Sequence, residues 1–186
     1  MRAVPFWLGT AAFALFFLSD CNDLWWRKHA GKALFPLAGV LLVAALAAQL
    51  HLTAPVMRFW PGRILCLVLA TAFLWLELDA LFFALPRQAS YGKPGEQRAV
   101  CARGVYALCR HPGVLFFGFL MLFLWLSLGL SGWAAAFYTL YDILLAAFED
   151  RLVFPRRIEG YRDYWAQAPF LLPTPRSLLR CLEGRE

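Results

Sequence analysis

Charge is scarce in this chain. Of its 186 residues only 16% are Asp, Glu, Lys or Arg, against 61% hydrophobic, whereas soluble domains run near 25% charged and about 45–50% apolar. That scarcity excludes a disordered tail and an ordinary cytosolic globule. Paired cysteines are missing as well. Cys21, Cys66, Cys101, Cys109 and Cys181 make no CxxC and no His/Cys ligand spacing, which argues for reduced thiols and against both a disulfide frame and a metal site. No internal repeat and no low-complexity linker interrupts the chain, so 1–186 reads as one domain. The charge that is present leans positive, to a net +6, but the basic residues stand in the gaps between apolar runs. That distribution predicts a lipid bilayer as partner and no nucleic acid.

Five apolar stretches emerge: Val4–Ser19, Ala33–Leu52, Ile64–Leu85, Gly113–Leu130 and Trp133–Phe148. Crossing ~30 Å of hydrocarbon takes about 20 helical residues; the second and third stretches qualify easily, while the first and fifth are short. The first could pass for a signal peptide, but Asp20 stands before Cys21 where a small residue is wanted, so it reads as a retained helix. Only Ser131-Gly132 separates the last two, which predicts a tight helical hairpin. With five spans, segments 20–32, 86–112 and the C-terminal tail share one side and carry fifteen Lys/Arg, against three on the other. That asymmetry predicts an N-terminus outside and a C-terminal tail in the cytoplasm. The predicted fold class is an all-α integral membrane protein with five transmembrane helices.

Carboxylates inside such segments are costly, at ~2.5–3.5 kcal/mol or more near the bilayer centre, so Glu77, Asp79 and Asp142 must face a cavity, a partner or the interface. On the fifth stretch Tyr138, Asp142, Leu145 and Glu149 fall on one helical stripe, with Glu149-Asp150 emerging at its end. That acidic pair also suits a helix end bridged to Arg151 or Arg156. Arg110-His111 before Pro112 suits interfacial anchors at a helix start, and Tyr161, Tyr164 and Trp165 suit an aromatic belt.

Taken in order, however, these residues form a pattern. Gly104, Tyr106, Arg110, His111 and Pro112 spell G-x-Y-x-x-x-R-H-P before the predicted hairpin; Glu149-Asp150 follows it, then Tyr161, Tyr164, Pro169 and Pro173. Over roughly residues 60–175 the sequence resembles the membrane methyltransferases that include isoprenylcysteine carboxyl methyltransferase and the phospholipid N-methyltransferases. The resemblance implies S-adenosylmethionine as cofactor and methyl transfer to a lipophilic or small acceptor reached from the membrane. It implies a cofactor site at Arg98, Val100, Cys101, Tyr106, Arg110, His111, Pro112 and Glu149, with the backbone around 98–101 and 111–114 wrapping the nucleotide. In that site Glu149 takes the ammonium or a ribose hydroxyl, Arg110 or His111 meets the carboxylate, and the Tyr106 ring lies against the cation or the adenine. The pattern departs at Val114 and Phe116, where the family has Tyr and Gly, at Asp150, where it has a second Glu, at Gly160, and at Leu145, where the isoprenylcysteine enzymes carry an acceptor-side Arg. The donor site is therefore expected to be retained and the acceptor pocket to be apolar, with Asp150 mattering less than Glu149 to the cofactor. Two other expectations compete: an NADPH-dependent membrane reductase with a related hairpin, and a non-catalytic protein on the same scaffold.

Overall fold

The computed structural model describes residues 3–50, 52–83, 98–100 and 102–183, with no side-chain description at 98, 99 or 183. The described chain is helical apart from one two-residue parallel ladder. Five long helices come first: α1 (Ala3–Cys21), α2 (Leu34–Gln49), α3 (Trp60–Leu78), α4 (Pro112–Leu128) and α5 (Gly132–Phe148). Three short ones follow: a single turn at Phe154–Arg157, then α6 (Tyr161–Gln167) and α7 (Pro175–Glu183). Strand β1 (Arg98–Ala99) pairs in parallel with β2 (Ile158–Glu159), Arg98 opposite Ile158.

Three stretches, Ala3–Trp26, His29–Gln49 and Trp60–Phe83, are long and apolar enough to cross a membrane. The apolar helix α4 and its neighbour α5 have 17 residues each, about 25 Å of rise. Large apolar side chains along the long helices point outward: Trp7, Val40, Val43, Leu65, Trp75 and Leu144 are all exposed. An outward apolar surface on this scale is what a lipid-facing helix presents and a water-facing one avoids.

Helix α3 packs along α4 and α1 along α2, while α5 touches both α4 and α1 and joins the two pairs. The shared core runs from Phe13 through Phe117, Leu120 and Met121 to Leu130, Ala134 and Tyr138. Tyr138 is fully buried, so its hydroxyl needs partners: it accepts from Gln49 Nε2 at 2.7 Å and donates to the Phe6 carbonyl at 2.9 Å. Only glycine at position 9 permits this approach, since a Cβ there would lie 2.1 Å from the Tyr138 oxygen.

The α4–α5 connection follows from its residues too. Gly129 ends α4 in the left-handed region at φ 72°, where glycine carries no Cβ penalty, and its carbonyl accepts from the Thr53 amide and hydroxyl at 3.2 and 2.9 Å. Arg63 Nε donates to the Ser127 carbonyl at 2.8 Å, so the 52–63 connection satisfies the orphan carbonyls at this helix end. At the opposite end of the bundle three helices widen into single π-helical turns, Asn22–Trp26, Asp79–Phe83 and Glu149–Val153. Such turns recur at functional sites, and here they begin beside or on carboxylates: Asp20, Asp79 and the pair Glu149-Asp150.

Candidate functional site

The two sequence blocks meet at Asp150. This side chain is nearly buried, and five groups converge on its two oxygens. Arg110 Nε donates to Oδ1 at 2.8 Å and its NH2 group to Oδ2 at 3.1 Å. The Tyr161 hydroxyl donates to Oδ1 at 2.7 Å and Trp165 Nε1 to Oδ2 at 2.9 Å. His111 Nε2 lies 3.3 Å from Oδ1. Burial alone pushes this carboxyl up, but the bonds from His111, Arg110 and Tyr161 outweigh it and hold Asp150 well below the usual carboxylate range. The same contact acts oppositely on its partner: burial and then the Asp150 carboxylate push the Tyr161 phenol far up, so Tyr161 serves as a donor.

The backbone around the cluster explains its order. The Arg110 and His111 amides donate to the Pro169 and Phe170 carbonyls at 2.9 and 3.2 Å, which lays the motif loop along the segment between its two prolines. The remaining Arg110 nitrogen donates to the Ala168 and Trp165 carbonyls at 2.7 and 3.2 Å, and the guanidinium sits over the Trp165 ring, 5.3 Å from its centroid. The Tyr164 hydroxyl donates to the Tyr106 carbonyl, and the Tyr106 hydroxyl to the Ala80 carbonyl at 3.0 Å. His111 stacks on Phe154 at 5.7 Å. Pro112 is fully buried and opens α4, a position where its missing N–H costs nothing. Burial pushes the neighbouring Cys109 thiol up to about 11, so it is an inert core residue.

Glu149, one residue from Asp150, occupies the opposite environment. Its carboxyl is in hydrogen-bonding contact with that of Asp20 at the end of α1, and a bond between two carboxyls needs a proton between them. Burial first, then the neighbouring charges of Asp20 and Asp142, hold Glu149 well above its ordinary value. Among the described residues the basic side chain near it is His111, with Nδ1 3.9 Å from Oε2. Glu149 keeps 23% of its side chain exposed, whereas Asp150 keeps 5%. Oδ2 of Asp20 and Oε2 of Glu77 are buried without a hydrogen-bond partner.

Beside this carboxyl pair, a groove of about 370 Å³ runs between α1 and α5. Thr10, Phe13, Ala14 and Phe17 form one wall and Tyr141, Leu144, Leu145 and Phe148 the other. Each wall is an i, i+3, i+4, i+7 stripe. Leu145 is thus part of an apolar wall.

Of the expected cofactor residues, the structure brings Tyr106, Arg110, His111, Pro112 and Glu149 together. Val100 packs against the Tyr161–Tyr164 cluster, Arg98 is described by its backbone pairing alone, and Cys101 lies outside the described residues. The acidic pair's partner is corrected: the cation on Asp150 is Arg110, forty residues away, and not Arg151 or Arg156. Asp20, Phe154 and Phe170 join the site without a motif to announce them, and Trp165, which suits an aromatic belt, instead donates to Asp150. An aspartate in the last turn of an otherwise apolar helix was the available signal for Asp20. Comparison with protein-family models, curated proteins and solved structures gives no match to this chain.

The residues fit S-adenosylmethionine in part. The Glu149–Asp20 pair suits an ammonium or a sulfonium, since a cation can replace the proton the two carboxyls share. Arg110 does not suit the cofactor carboxylate: three of its nitrogens already serve Asp150 and two carbonyls.

Proposed function

We propose that the chain is a five-span membrane protein, N-terminus outside and C-terminal tail in the cytoplasm, that transfers a methyl group from S-adenosylmethionine to a lipophilic or small acceptor. The observation that carries this is the meeting of the two motif blocks, Tyr106–Pro112 and Glu149–Tyr164, around one unsaturated carboxyl, Glu149, beside an apolar groove. The fifteen-to-three Lys/Arg asymmetry supports the orientation. Bound, the cofactor supplies an electrophilic methyl carbon on a positively charged sulfur. An acceptor's lone pair would take that methyl carbon, with the carbon–sulfur electron pair remaining on sulfur and S-adenosylhomocysteine as the leaving group. No covalent nucleophile from the protein is needed, so the chain's part is alignment and water exclusion, for which effective molarities reach about 10⁵–10⁸ M. Glu149 binds the cofactor's ammonium, the Tyr106–Ala80 and Tyr164–Tyr106 bonds hold the motif loop, and Asp150 fixes Arg110 and His111 as the site's frame.

One observation favours a second reading. Arg110, His111, Tyr161 and Trp165 spend their polar atoms on one another and on Asp150, as a non-catalytic scaffold would. Thermal-shift titration of the detergent-purified chain with S-adenosylhomocysteine and with NADPH separates the alternatives. The methyltransferase requires stabilisation by S-adenosylhomocysteine alone. Stabilisation by NADPH alone would indicate a reductase, and by neither the scaffold.

A further inference from the structure

We infer that the groove between α1 and α5 holds a single hydrocarbon chain bearing a cationic amine, with the chain against Ala14 and Leu145 and the nitrogen at Asp20. The inference deepens the acceptor side of the proposed methyl transfer, and rests on that reading only for the fate of the amine, not for its binding. The groove is about 370 Å³, and each wall is one largely apolar stripe running over eight residues, about 10 Å of helix. Continue either stripe by one more helical step and it reaches a carboxyl. Phe17 is followed at i+3 by Asp20 on α1, and Leu145 at i+4 by Glu149 on α5. The rings of Phe17 and Phe148, 4.8 Å apart, mark the end of the groove next to that pair.

The chemistry of this end selects the head group. The Asp20 carboxyl lies against that of Glu149, its Oδ2 is buried without a hydrogen-bond partner, and Asp23 adds a further negative charge beside it. An ammonium supplies both the missing donor and the missing charge. A carboxylate or phosphate head meets like charge, and an alcohol supplies a donor without charge. Glu149 lies on the His111 side of the pair and stays with the cofactor, so the two cationic groups occupy neighbouring carboxyls.

The test uses the full chain in detergent, with dodecylamine, dodecanol and dodecanoate as probes and native mass spectrometry as readout. No methyl donor is present, so the result stands apart from whether S-adenosylmethionine binds. Dodecylamine is expected to bind at least about tenfold more tightly than dodecanol, and dodecanoate weakest of the three. Ala14→Phe, at a lipid-facing position, is expected to abolish binding of amine and alcohol alike; Leu145→Trp fills the same groove from the other wall should that variant fold poorly. Asp20→Asn is expected to lower dodecylamine to the level of dodecanol and leave dodecanol unchanged. Equal binding of amine and alcohol to the wild type, a preference for dodecanoate, or amine binding untouched by both groove-filling variants would overturn the inference.

Discussion

Glu149 and Asp150 are neighbours on one π-helical turn, yet they stand in opposite surroundings. Asp150 has the Arg110 guanidinium, the His111 ring and two neutral donors on its oxygens; Glu149 has another acid. One carboxyl is held below its ordinary range and the other well above. Of two adjacent acids, one therefore builds and the other is left to bind. A carboxylate with every lone pair satisfied has nothing left to offer a ligand, whereas one that shares a proton with a second acid can exchange that proton for a cation.

The largest expected effect is at the saturated member. Asp150→Asn leaves the Arg110 guanidinium, 11% exposed, without its counter-charge, and breaking a buried pair from one side costs about 3–5 kcal/mol. Denaturant titration in detergent checks this. Tyr161→Phe removes one donor and leaves the rest, so the loss should be about 1.5–3 kcal/mol, read in the same titration. If Glu149→Gln destabilised the protein as much as Asp150→Asn, the comparison would collapse.

The smallest expected effect carries a sign. Glu149 is raised in the folded state, so its contribution is fully present below the unfolded value near 4.3 and is lost as pH rises through the folded value. Glu149→Gln should therefore match the wild type at pH 4 and equal or exceed its stability at pH 8. Asp150 is depressed, so its contribution is complete above about 3.9 and declines as the pH falls below that. Acid-side destabilisation of the wild type should accordingly disappear in Asp150→Asn, measured against pH by circular dichroism.

The motif blocks were legible because Arg-His-Pro, the acidic pair and Tyr-x-x-Tyr are chemically distinctive side chains at fixed spacing. Their mutual pairing was not. Arg110 and Asp150 are forty residues apart, and charge alone favoured the nearer Arg151 and Arg156. Asp150, as a departure from the family's second Glu, is expected to matter less than Glu149 to the cofactor; in the fold it is the organising residue of the frame. Asp20 reads from the sequence only as an obstacle to a cleavage site, because only the packing of α1 against α5 gives it a partner. The apolar stretches were legible in position, and three of them have the length of a span. The other two form 17-residue helices, shortened where Gly129 turns the chain and where Glu149 opens the π-helical turn.

Glu149 as the cofactor's carboxylate is the central claim, and calorimetric titration of S-adenosylhomocysteine into the wild type and Glu149→Gln tests it most directly. A charge-assisted hydrogen bond is worth about 1.5–3 kcal/mol, so affinity should fall roughly 10- to 100-fold in the variant while its folding holds. Unchanged affinity for S-adenosylhomocysteine in Glu149→Gln would contradict the claim and leave the acidic pair as part of the frame alone.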